Sequence, residues 1–389
     1  MKSFLRTDEG ADMKTKSKLI RIAHFVVFVL VLSVSNQNIH AQPGPIKNNG
    51  NKWRIGYYEG GPWRDYQASL VATIKSLMKH GWIEKAPMPR MVNQNDTKKL
   101  WEWLAVESKS DFLEFPENAY WSADWDKQIR KENKQRCINA LQSKAVDLMF
   151  AMGTWAGKDL ANNLHSVPTI VMSTTDAIGA GIIKSAEDSG FDHVLAKYDP
   201  TRYERQFRLF HDIFHFNNVG IIYEDSKEGR IFSHLKAVKK IAAERKFNIV
   251  ECQACDNNMC PGQKEKIRNA YLKCIKEIAP KIDAIIYSDH TGANPENLKE
   301  CNKILFEYKI PSWSPRGVQL VEYGALMSIA RADFSDLGIF YTKKISQIFH
   351  GKKPRSLNQV HKEIFKLAIN TETARKIGYK IPSNLLKAK

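Results

Sequence analysis

The sequence predicts an α/β protein with two Rossmann-like lobes, each built on a parallel sheet. Three observations predict it. Short apolar runs bounded by Gly, Pro or Asp alternate with helical segments along most of the chain. The stretch Val146 to Asp176 (VDLMFAMGTWAGKDLANNLHSVPTIVMSTTD) reads strand, helix, strand in about 30 residues, the βαβ signature of parallel neighbours. The same plan returns at Asp283–Ser314, more than 100 residues later. Both copies end their strands in polar tips: Gly153-Thr154-Trp155 and Ser173 to Asp176 in the first, Ser288-Asp289-His290-Thr291 and Ser314 in the second. In open α/β sheets ligands sit outside the carboxyl ends of the strands. Two such units suggest two lobes facing one central cleft; a single α/β domain whose hydroxyl-rich tips are only helix caps is the other reading.

The N-terminus stands apart from this plan. Lys14, Lys16, Lys18 and Arg21 precede the apolar run Phe25–Leu32, and Ile39-His40-Ala41 follows a polar stretch. A basic region, a short apolar core and a small-residue cleavage site make residues 1–41 a signal peptide. The core is short for a membrane-spanning helix, so a retained anchor is the second reading. Met13 is an alternative start, because Met1–Asp12 adds acidic residues that an export signal does not need. With no cysteine near Ala41, lipid attachment there is not expected, and the expected location is periplasmic or extracytoplasmic.

Residues 42–51 form a Pro/Gly/Asn linker, and Lys52–Tyr58 (KWRIGYY) is the first strand. A helix runs from about Asp65, its expected N-cap, to His80, with Leu70, Ile74 and Leu77 on one face. Residues 81–125 are rich in aromatics, from Trp82 to Trp125, with a strand at Phe112–Phe115. A helix over Asp124–Ser143 leads into the first βαβ unit, whose helix spans Ala156–Leu164. The chain then crosses to the second lobe between Asp176 and Pro200. Arg202–Phe214 is a helix with Phe207, Phe210 and Phe214 at helical spacing, a core stripe. Strand Val219–Tyr223, helix Glu228–Arg245, strand Phe247–Glu251 and helix Lys264–Ile278 lead to the second unit. Its helix runs from Pro295 to Tyr308. Strand Ala325–Ala330, helix Asp336–His350, strand Phe365–Ile369 and an Asn370-capped helix Thr371–Ile377 close the chain.

Composition narrows the function. Of 389 residues 43% are hydrophobic, enough for two packed domains. The formal charge is +17. It becomes +14 once residues 1–41, with six basic and three acidic side chains, are set aside. The lysines are scattered along helices without a compact basic motif, so they read as solvated faces, and nucleic acid is not an expected partner. Six cysteines are present, four of them clustered at Cys252, Cys255, Cys260 and Cys274. In an oxidising compartment such a cluster favours one or two disulfides, of undetermined connectivity. A redox or zinc site at Cys252 and Cys255 is the alternative. No nucleophile elbow, P-loop, zincin motif or GxGxxG is present, and His290 beside Asp289 has no nucleophile nearby. No catalysis, cofactor or metal is expected.

The C-terminal third carries a resemblance. Gly351-Lys-Lys-Pro354, then Ile369-Asn-Thr-Glu-Thr-Ala-Arg-Lys-Ile-Gly378, then Ile381-Pro-Ser-Asn-Leu-Leu386 resembles the ending "GxKP … INxxTAxxLGxxIPxxLL". That ending marks the ABC-transporter substrate-binding proteins that include tryptophan- and tyrosine-binding members. The likeness extends to Gly153-Thr154, Ser173–Asp176, Asp289 and Ile310-Pro311. It departs at Trp155, where a small residue is common, after Asp176, and in the cysteine loop.

The resemblance implies a type I periplasmic-binding-protein fold. Its first lobe would hold residues 52–177 plus about 312–335, and its second 178–311 plus about 336–389. It implies capture of a small polar or aromatic solute, with an aromatic amino acid as the first candidate, by a monomer that delivers it to a membrane permease. In that picture Tyr57 or Tyr58 and Trp155 stack on the flat part of the ligand. Thr154, Thr174 and Thr175 hydrogen-bond a carboxylate, Asp289 pairs with an ammonium and Ser314 lines the far wall. A ligand-sensing domain of the same fold is the other reading.

Overall fold

The computed structural model describes residues 43–90, 95–315, 317–331, 334–363 and 365–386. The expected signal peptide lies outside them. Among the described residues no helix is long and apolar enough to cross a membrane.

The strands are β1 (Trp53–Glu59), β2 (Leu113–Glu114), β3 (Tyr120–Ser122), β4 (Leu148–Met152), β5 (Thr169–Met172), β6 (Val194–Ala196), β7 (Asn218–Tyr223), β8 (Asn248–Gln253), β9 (Ala284–Ile286), β10 (Ser312–Ser314), β11 (Met327–Arg331) and β12 (Phe365–Ile369). The α-helices are α1 (Arg64–Lys79), α2 (Thr97–Val106), α3 (Lys127–Gln142), α4 (Gly153–Leu160), α5 (Arg202–Phe214), α6 (Lys227–Phe232), α7 (Leu235–Arg245), α8 (Lys264–Ile278), α9 (Pro295–Glu307), α10 (Gln319–Glu322), α11 (Ser335–Phe349), α12 (Thr371–Lys376) and α13 (Ser383–Leu386).

Two sheets result. The first runs β2-β1-β4-β5-β6, with β3 also pairing β1, and all its pairings are parallel. The second runs β12-β11-β10-β9-β7-β8 and is parallel except for β12, which returns antiparallel on β11. Strand β4 is buried at every position, as a central parallel strand covered on both faces must be. That is why Leu148–Met152 reads as an unbroken apolar run rather than an alternation. The register aligns Glu59 with Met152, and Met152 with Met172, so three strands of the first sheet end level. In the second sheet Ile221, Ile286 and Trp313 are aligned in the same way.

The division of the chain between lobes differs from the sequence expectation in three places. Strand β6 pairs with β5, so the first lobe runs past residue 177 to Ala196, and the crossing falls late in the expected stretch from Asp176 to Pro200. Strands β10 and β11 belong to the second sheet, not to the first lobe. Helix α11 packs on α1 and contributes Leu337, Tyr341, Ile345, Ile348 and Phe349 to the first lobe's core. The approach is close because Gly338 has no side chain: a Cβ there would stand 2.2 Å from the Ala72 carbonyl oxygen.

The crossings themselves are tied by charge. Tyr198 bridges Val360, and its N–H donates to the Gln359 carbonyl at 3.0 Å. Glu363 is buried against Lys197, and Arg202 Nε lies 3.5 Å from its carboxylate. Asp199, itself held by Arg205 at 2.6 Å, accepts the Glu363 N–H at 3.0 Å.

Local departures have local causes. Trp63, not Asp65, occupies the N-cap of α1, and Asp65 lies in its first turn. The expected helix Glu228–Arg245 is two helices, broken where His234 takes φ 58°. The aromatic stripe of α5 is core at Phe207 and Phe210, while Phe214 is half-buried against Tyr379.

Candidate functional site

The level strand ends of the first sheet bring Glu59-Gly60, Gly153-Thr154 and Ser173-Thr174 to one edge. The chain turns sharply at each. Gly153 sits at φ +85°, and a Cβ there would stand 1.8 Å from the Tyr66 hydroxyl, so only glycine lets α1 approach α4. Ser173 sits at φ 54°, and Asp176 closes the turn by accepting the N–H groups of Ile178 and Gly179 at 3.1 and 2.9 Å. Thr154, Trp155 and Thr175 are half-buried and Thr174 is buried. These positions stand together, as the sequence predicts.

The two tyrosines do not join them. Tyr57 and Tyr58 are fully buried. Tyr57 stacks on Tyr120 at 5.3 Å and donates to Glu59 at 2.7 Å; Tyr58 donates to Asp159 at 2.9 Å. The strand continues to Glu59, so both rings lie within the sheet's packed faces rather than at its tip. The expected stacking role falls away for them.

Other aromatic rings take that place. Trp125 is 44% exposed and packs on Trp155 at 5.5 Å, Tyr66 at 6.3 Å and Trp63 at 6.5 Å. The Gly60-Gly61 turn admits it, because a Cβ at Gly61 would lie 2.7 Å from the Trp125 backbone nitrogen. Arg130 lies over the Trp155 ring at 4.5 Å and is held there by a two-pronged pair with Asp159, at 2.8 and 2.9 Å. The wall is therefore fixed on its far side and open at Trp125.

Behind it Glu59 is fully buried and accepts hydrogen bonds from Tyr57, Thr97, Tyr120 and Ser122 at 2.7 to 3.3 Å. Burial pushes its carboxyl upward, against the pull of those four donors. The same burial raises the Tyr66 phenol, and the charges of Glu59, Asp65 and Asp289 raise it further.

From the second lobe come β7, β9 and β10. Asp289 is half-buried, and its N–H donates to the Phe232 carbonyl at 3.0 Å. His234 lies 3.8 Å from its carboxylate and stacks on Tyr203 at 3.6 Å. Ser314 is fully buried within β10 and pairs with Ser328 in the ladder, so it is a strand residue and not a wall of the cleft. His290 is buried too. Its Nδ1 accepts the Gly292 N–H at 2.9 Å and its Nε2 reaches the Ala254 carbonyl at 3.3 Å.

The cysteines pair as Cys252 with Cys274 and Cys255 with Cys260, at Cα separations of 5.8 and 5.9 Å. Cys252 and Cys255 therefore do not face each other as a redox pair. The intervening loop is anchored by Glu224, whose Oε2 accepts the N–H groups of Asp256 and Met259 at 2.7 and 2.9 Å. Cys137 and Cys301 are buried free thiols.

Two α/β lobes, each a largely parallel sheet with polar strand ends, have the type I periplasmic-binding-protein fold. The chain matches the family model described as ABC transporter substrate binding protein over residues 122–389, and it belongs to that family. Its fold resembles that of the ABC domain in complex with L-Trp from Streptococcus pneumonia: TM-score 0.63, 18% identity, 87% of this chain and 98% of that one. A conserved domain protein from Vibrio cholerae gives TM-score 0.61 at 19% identity, over 87% and 98%. The ligand-free, open structure of a substrate binding protein with adhesive properties from Clostridium difficile gives 0.61 at 18%, over 85% and 97%. No match is found among curated proteins. At these identities the likeness is one of fold.

Proposed function

We propose that the protein is the extracytoplasmic solute receptor of an ABC importer, and that its ligand is a small solute with a flat apolar part, an aromatic amino acid in the first instance. The observation that carries this reading is the half-exposed aromatic wall Trp125–Trp155, set beside the hydroxyl-bearing strand ends of the first lobe. Flat rings favour Trp faces and edges. Thr154, Thr174 and Thr175, with the N-terminus of α4, suit a carboxylate. Asp289 suits an ammonium. Ligand polar groups left unmatched in such a site lower affinity, which makes the set selective. The resemblance to tryptophan- and tyrosine-binding family members supports the ligand class, and the basic and apolar leader supports export. A membrane permease is then the partner that receives the solute, the protein acts as a monomer, and both cysteine pairs are oxidised.

The test is a thermal-shift screen of protein that has been unfolded and refolded to remove carried-over ligand. The panel holds the amino acids, nucleobases and small aromatic acids. A ligand at 100 times its dissociation constant adds about 2.7 kcal/mol, a rise of several degrees. Tryptophan, tyrosine or phenylalanine should give it, and Asp289→Ala should weaken that response at least tenfold. A response confined to non-amino-acid members would overturn the ligand class, and an unchanged affinity in Asp289→Ala would remove the ammonium role.

A further inference from the structure

Two ion pairs join the lobes outside the strand ends. Lys158 Nζ lies 3.1 Å from Glu228 Oε1, and Arg64 Nη1 lies 3.9 Å from Glu322 Oε1. The first is a direct hydrogen bond as well as an ion pair. Lys158 sits on α4, one turn beyond Trp155, so its position is tied to the aromatic wall. Glu228 sits in the first turn of α6. That helix cannot slide to follow a departing lysine. Ser226 caps it by accepting the Gly229 N–H at 2.9 Å, and a Cβ on Gly229 would stand 2.1 Å from the Glu224 carbonyl oxygen. Helix α6 is thus packed against the turn that follows β7. Burial pushes the Glu228 carboxyl up, but the hydrogen bond from Lys158, the backbone N–H of Glu228 itself and the charges of Lys158 and Lys227 outweigh it and hold the group below its usual range. Lys227 belongs to the same helix as Glu228, so Lys158 is the partner that senses the other lobe.

We propose that Lys158 and Glu228 form a closure latch: a positioning pair that touches no ligand and holds the two lobes together. This rests on the reading of the protein as a lobe-closing solute receptor. An interaction made only in the closed form shifts the open–closed equilibrium, and it raises apparent affinity by the same factor. Both side chains are about one-third exposed, 34% and 37%. At that exposure the shift is modest, up to about fivefold, and salt screens it.

The experiment needs no ligand, so its outcome is separate from that of the ligand screen. Small-angle X-ray scattering is recorded on unliganded protein, on Lys158→Glu and on the charge-swapped double variant K158E/E228K, each at low and at high salt. Circular dichroism melts check that the variants are folded. At low salt Lys158→Glu should show a larger radius of gyration than the parent, and the swap should return it to the parent value. High salt should bring all three together. A purely structural role for Lys158 would move the melting temperature and would not be rescued by the swap. Three proteins that scatter alike at low salt, or a swap that scatters like Lys158→Glu, would overturn the latch.

Discussion

A single missing methyl group sets how the candidate site is assembled. Gly153 combines a left-handed backbone with contact from the Tyr66 hydroxyl, whereas Gly181, at φ +74°, faces open space. Gly181→Ala should therefore cost only backbone strain, about 1 kcal/mol. Gly153→Ala adds a clash that pushes α1 from α4, and should cost at least about 2–3 kcal/mol. Urea unfolding of the two variants side by side checks the difference. Residue identities at strand ends were legible in the sequence: Thr154, Trp155, Thr174, Thr175 and Asp289 stand where a short apolar run stops. Tyr57 and Tyr58 were not, because the first strand runs on to Glu59 and carries both rings into the packed faces. Trp125 was hidden for another reason. Its place beside Gly60-Gly61 is a contact between segments more than 60 residues apart, which no local pattern encodes.

Among the elements, two long periodic helices were readable to the residue. Helices α5 and α8 begin and end where the apolar spacing does. The break between α6 and α7 was not readable, since it is made by His234 in a left-handed conformation rather than by Gly or Pro. The connecting segments deserve a separate expectation, because they concentrate buried charge. Lys197 is 3% exposed and Glu363 5%, and the pair lies where the chain passes between lobes. Glu363→Gln takes a buried carboxylate from Lys197 and Arg202 and should cost about 3–5 kcal/mol. Chemical denaturation reads that loss. A variant as stable as the parent would show that the remaining contacts there carry the crossing.

For the whole molecule, the sequence disclosed the number of lobes but not which late segments complete them. A strand's sheet is decided by edge pairing and a helix's lobe by the face it covers, and both are tertiary facts. Stability as a whole should depend on acid in a definite direction. Burial lowers His165, His193, His211 and His361, with His193 brought down to about 4 and further depressed by His165, whose ring lies 4.5 Å away. The unfolded chain takes up protons at these sites from about pH 6.5 downward, while the folded chain does not. Stability from these groups is therefore complete above about pH 7 and lost progressively as pH falls toward 4. Calorimetry should show a melting temperature that drops across that window, with His193→Gln flattening the drop. A flat profile in the parent would remove the claim.

The return of α11 to the first lobe has a consequence in time as well as space. Phe349 stacks on Trp53 at 4.3 Å and packs on Trp82 at 5.4 Å. Those tryptophans leave the ribosome 296 and 267 residues before their partner does. At ordinary synthesis rates that is a wait of roughly 15–60 seconds. During it the first lobe lacks the helix that covers α1, and the apolar face of α1 is left uncovered.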